Sequence, residues 1–130
     1  MATTTDSGLS LSTDSLTGIH WVGVVLALLS GVIHLFLGVS LGGQFGYAGL
    51  PGAFILAGLG FIGAVVLLLV DFRRRLVYAV GVPFVGAQVA IWLWTQVLNS
   101  SRALGTVDYV DKVAQVVLIV ILLYLLATEN

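Results

Sequence analysis

The stretch IHWVGVVLALLSGVIHLFLGVSL, residues 19–41, decides the fold. It holds no Asp, Glu, Lys or Arg. It also exceeds the ~20 apolar residues that a helix needs to cross a bilayer. A charge at the bilayer centre is costly, so a charge-free run of this length marks a membrane span. The same pattern extends outward. No charged residue lies between Asp14 and Asp71, between Arg75 and Arg102, or between Lys112 and Glu129. Two further apolar runs, 52–70 and 76–98, lie within these gaps, and a third, 109–127, does so beyond Asp111 and Lys112 near its start. The expected fold is therefore all-α: an integral membrane up-down four-helix bundle, since short loops favour antiparallel neighbours.

The breaks between runs have chemical causes. Gly42, Gly43 and Gln44 are read as ending the first span. Pro51 opens the second, in a first-turn position where its missing N–H costs nothing. Asp71-Phe72-Arg73-Arg74-Arg75 is a tight charged connection. Asn99-Ser100-Ser101-Arg102 ends the third, and Thr106, Val107 and Asp108 supply cap candidates for the fourth. Pro83, between Gly81 and Gly86, is expected to kink span three.

Composition narrows the function classes. Charged residues make up 8% of the chain against 59% apolar ones, which leaves no room for a soluble domain beside the spans. The net charge of -1 argues against a nucleic-acid partner. There is no Cys, so disulfides, thiolate metal sites and iron–sulfur clusters are excluded. No metal-ligand set is evident in the sequence. Residues 1–17 carry no Lys or Arg and do not resemble a secretory signal, so they are expected to form a retained, disordered polar tail.

Orientation rests on Arg73, Arg74 and Arg75. The positive-inside rule puts their loop, and with four spans both termini, in the cytoplasm of a plasma-membrane protein. The aromatics agree with the span count. Trp21, Tyr47, Tyr78, Trp92, Trp94, Tyr109 and Tyr124 all fall near expected boundaries, where Trp and Tyr prefer to sit.

Two short motifs read best as structure. Gly58-Leu59-Gly60-Phe61-Ile62-Gly63 matches a dinucleotide fingerprint, but lies inside an apolar span where no pyrophosphate enters, so helix packing is expected. Small residues at Ala53, Ala57, Gly60 and Ala64 fit the same reading. Asn99-Ser100-Ser101 satisfies the glycosylation rule yet reads as an ordinary helix stop. Among intramembrane polar residues, Gln88 and Gln115 are deepest in spans three and four, with Thr95 and Gln96 nearer the outer edge. Hydrogen bonding between helices is their expected role, and lining a quinone, solute or ion pocket is the alternative.

Span one carries the only two histidines, His20 and His34. Fourteen residues of helix separate them by about 21 Å along the axis and about 40° around it, so they share one face. Gly23, Ala27, Ser30 and Gly38 lie on or beside that stripe. This spacing resembles the haem-bearing helices of the cytochrome b family. The resemblance implies His20 and His34 as axial ligands of haem b, and it covers one helix. That family supplies opposing histidines from a second helix, which this chain lacks. Haem would therefore need a parallel homodimer. The plainer expectation is that His20 is solvated at the membrane edge with no protein partner, and that His34 bonds a neighbour such as Gln115.

The whole chain also resembles small, uncharacterised four-span membrane proteins of haloarchaea. The carrying stretches are GVIHLFLG (31–38), FILAGLGFIGAVVLLL (54–69) followed by the arginines, and DKVAQVVLIVILLYLL (111–126). The resemblance implies a four-helix fold and a prokaryotic plasma membrane, and no activity. The leading expectation is a non-enzymatic accessory or structural bundle with no cofactor. Its partners would be the lipid bilayer and either a second copy or a larger membrane complex. The alternatives are a haem or quinone redox module and a solute-conducting oligomer. Beyond Asp111 and Lys112 near the start of the fourth run, the absence of Asp, Glu, Lys and Arg from the apolar runs counts against an ion path. Hydrolytic catalysis lacks any Ser/His/acid set or carboxylate pair.

Overall fold

The computed structural model describes residues 11–129. Every regular element among them is helical: α1 Gly18–Phe45, α2 Leu50–Leu69, α3 Arg74–Trp92 and α4 Thr106–Thr128. A π-helical turn, Leu93–Leu98, continues α3. All four helices are long and apolar enough to cross a membrane. α1 packs on α2 and α4, and α3 packs on α4, while α2 and α3 share the slightest contact of any neighbouring pair. Hydrogen bonds bring the start of α1, the end of α2, the start of α3 and the end of α4 to one end of the bundle. Successive helices therefore alternate in direction.

Helix ends differ from the sequence boundaries for local reasons. α1 runs on through Gly42 and Gly43, which were expected to stop it. The ring of Tyr47 lies where a Cβ on Gly42 would be, and the chain turns instead at Gly46, with φ 86°. α4 begins at Thr106, because Asp108 accepts the Gly105 N–H at 2.9 Å and places its charge in the first turn. The α2–α3 connection, 70–73, is tight enough to put Asp71 and Arg73 in left-handed conformations, with φ 56° and 48°. Arg74 braces it, donating from Nε to Leu68 O at 2.9 Å and pairing with Asp71 at 3.3 Å. The helix continues through Pro83.

Close approach of α1 and α2 depends on glycine. A Cβ on Gly58 would lie 2.8 Å from Gly31 O, and one on Gly38 would lie 2.9 Å from Pro51 O. Of the GxGxxG residues, Gly58 faces α1, Gly60 faces the Phe84 ring, and Gly63 faces open space. The apolar core gathers Val24, Phe61, Val65, Tyr78, Val85, Leu118, Ile121 and Leu125. Tyr78 lies near the start of α3, as expected, but is 1% exposed and belongs to this core.

The expected disordered tail falls largely on residues 1–10, outside the described residues. Its last part is tied down. Ser12 N–H donates to Leu69 O at 2.7 Å, and Arg74 donates to Ser12 O and, at 2.7 Å, to Ser15 Oγ.

Candidate functional site

The apolar core ends at a polar network on α1, α3 and α4. Ser30 and Gln115 are fully buried, and His34 and Asp111 nearly so. Local helix geometry assembles them. Ser30 and His34 stand one turn apart on α1, as do Asp111 and Gln115 on α4, so each pair shares a helix face. The Ser30 hydroxyl donates to Asp111 Oδ1 at 2.6 Å. Lys112 Nζ lies 2.9 Å from Asp111 Oδ2 and donates to Gln115 Oε1 at 2.7 Å. Gln115 Nε2 donates to Ser30 Oγ at 3.1 Å, closing a ring of four side chains. It also donates to Gln88 Oε1 at 2.9 Å, and Gln88 Nε2 donates to Phe84 O at 3.1 Å, which brings in α3.

The charges balance within the ring. A buried unpaired carboxylate or ammonium is strongly disfavoured. Here Asp111 and Lys112, with side chains 7% and 12% exposed, neutralise each other. The Trp92 ring lies 5.9 Å from Nζ and adds its negative face. No buried side-chain nitrogen or oxygen among the described residues lacks a partner.

His34 sits beside the ring, and not where sequence reading put it. Its partner is not Gln115. The Nδ1–H donates to Ser30 O at 2.8 Å, and Nδ1 lies 3.9 Å from Asp111 Oδ1. Phe54 meets the imidazole edge-on at 5.6 Å and Phe61 stands 5.8 Å away. His20 departs further from expectation. It is 5% exposed and engaged on both ring nitrogens. Thr17 N–H donates to its Nδ1 at 3.0 Å, and its Nε2–H donates to the Glu129 carboxylate. Glu129 also accepts the Tyr78 hydroxyl at 2.9 Å, and Arg75 donates to Leu126 O and Glu129 O. Water is not its solvent, because α3 and the end of α4 close over it.

The residues do not fit a haem. Both imidazoles point into their own bundle, so neither lies on an outer face that a parallel partner could share. His20 has no free ring nitrogen, and the ring of His34 is wedged between phenylalanines. No group of three or more His, Cys, Asp or Glu among the described residues is placed to hold a metal ion.

Sequence reading named Gln88, Gln115 and His34 but missed Asp111, Lys112 and Glu129 as network members. The signal was present in the four-residue spacing of Asp111 and Gln115, continued by buried Leu118 and Leu125. The expectation that charge stays out of the buried interior is corrected, because the first turns of α4 carry Asp111 inward. At the bundle's other end, Arg102 pairs with Asp108 at 2.9 Å, and that hydrogen bond raises the guanidinium pKa. Asp108 also accepts the Trp92 indole N–H at 3.2 Å. The arrangement fastens α1, α3 and α4 together through side chains that satisfy one another.

No curated protein and no solved structure matches the chain. The sequence model of DUF7475, a family of unknown function, matches residues 5–126, and the chain therefore belongs to that family.

Proposed function

We propose that the chain is a multi-pass plasma-membrane protein acting as a non-enzymatic accessory or structural bundle, with both termini in the cytoplasm. One observation carries this reading. The most polar part of the interior is a closed ring, Ser30–Asp111–Lys112–Gln115, whose donors and acceptors are spent on each other. A catalytic or transport site leaves groups free for a substrate or ion, whereas a helix-fastening network does not. Such intramembrane hydrogen bonds hold helices together with modest energies each. The three arginines at 73–75 support the orientation.

The redox alternative loses support from the enclosure of both imidazoles. A conducting role loses support because Asp111 and Lys112 neutralise each other and leave no unpaired charge for a passing ion. Reporter fusions at Gly46 and Asn130 test orientation, with exterior and cytoplasm as the expected answers. Purification from native membrane, with mass spectrometry of copurifying proteins and an absorption spectrum, tests the role. A defined partner complex and no Soret band are expected. A stoichiometric haem spectrum abolished by His34→Gln would overturn the reading.

A further inference from the structure

The apolar core lines a partly open cavity of about 70 Å³, walled by residues of all four helices. Its walls are carbon. The two polar residues on it, His20 and Tyr78, turn their polar atoms away to Glu129. Water has no partner there, and apolar cavities stay dry. Voids of this size are few in well-packed interiors, so the space calls for an apolar occupant. The volume is about half that of a ~150 Å³ engineered cavity that takes up benzene, which leaves room for a few methylene groups.

The lining also shows where an occupant enters. Val85 and Leu118 are buried, while Ala64 on α2 and Val77 on α3 remain partly exposed. Those two helices share the slightest contact of any neighbouring pair, since α2 leans on α1 and α3 on α4. The mouth therefore opens sideways between α2 and α3. Ala64 lies five residues before the end of α2 and Val77 three after the start of α3, within about 8 Å of the arginine end. In a bilayer-spanning bundle, on which reading this rests, that mouth faces the hydrocarbon of one leaflet.

We propose that the cavity is a binding site for a hydrocarbon chain of a lipid in the leaflet on the side of Arg73, Arg74 and Arg75. The chain enters past Ala64 and Val77 and seats a few methylenes against Val85 and Leu118. The test uses the full chain, perdeuterated with protonated Val and Leu methyls, in bilayer nanodiscs of phosphatidylcholine with protonated chains. Nuclear Overhauser contacts, which report separations below about 5 Å, are read from chain methylenes to protein methyls. Contacts are expected at the exposed Val80 and Leu67 and also at Val85 and Leu118. Ala64→Leu, which fills the mouth, should remove the interior contacts and keep the exterior ones. Contacts at Val80 and Leu67 with none at Val85 and Leu118 would overturn the proposal while leaving the membrane reading intact. Contacts at none of the four would overturn both. Interior contacts undiminished in a folded Ala64→Leu would overturn the assigned mouth.

Discussion

The Ser30 hydroxyl on α1 donates to Asp111 Oδ1 on α4 at 2.6 Å, joining two residues 81 positions apart in sequence. The bond matters because Asp111 carries a charge into the bundle and Lys112 alone does not satisfy both carboxylate oxygens. Removing one member of a buried charged pair leaves the other uncompensated. Asp111→Asn is expected to destabilise the bundle by about 3 kcal/mol, near the lower end of such losses because Lys112 keeps some exposure. Ser30→Ala should cost about 1–2 kcal/mol, since it removes a donor to a charged acceptor. Replacing Asp111 by Asn and Lys112 by Met together should cost less than Asp111→Asn alone. Unfolding free energies in mixed micelles check the order, and strictly additive losses would show that the pair is not coupled.

Glycine positions make a second contrast. Gly58→Ala would put a Cβ 2.8 Å from the Gly31 carbonyl, a backbone atom that cannot swing aside. A loss of about 1–3 kcal/mol is expected as α1 and α2 are pushed apart. Gly63→Ala meets nothing within 4 Å and should be neutral or gain up to about 1 kcal/mol from the better helix former. Thermal unfolding of both variants in one detergent separates these outcomes.

The two histidines are expected to donate from opposite ring nitrogens. His34 donates from Nδ1 to a carbonyl, so its proton sits on Nδ1. His20 accepts the Thr17 N–H on Nδ1, so its proton sits on Nε2, toward Glu129. Nitrogen-15 spectra of histidine-labelled protein at neutral pH distinguish the two, and a shared tautomer would contradict the hydrogen-bond network. His34→Leu should have only a small cost, because Ser30 O lies within the ladder of α1 itself and its imidazole bond is additional.

Arg74 is expected to control the last part of the N-terminal segment. It holds Ser12 O and Ser15 Oγ while bracing the end of α2. Peptide bonds between Ser12 and Thr17 should resist a nonspecific protease in the wild type and become cleavable in Arg74→Gln. Mass spectrometry of the digested chain locates the cuts. Equal cleavage in both proteins would mean that these exposed bonds do not order the segment.

The sequence by itself determined four helices and their approximate limits, because excluding charge over ~20 residues is a local property that a window of the chain displays. It also marked the tight connection at 71–75 and the depth of Gln88 and Gln115. Only the tertiary structure decided which polar groups meet. Asp111 lies in the second turn of α4, a depth that suits water, lipid headgroups or protein equally well. Its burial follows from the rotation of α4 and from Ser30 standing opposite. The same holds for His20, which reads as an edge residue along the chain and is enclosed because Glu129 and Tyr78 close over it. Period and charge show where a helix lies, but a buried polar side chain is satisfied by a neighbour distant in sequence, and only the packed bundle names it.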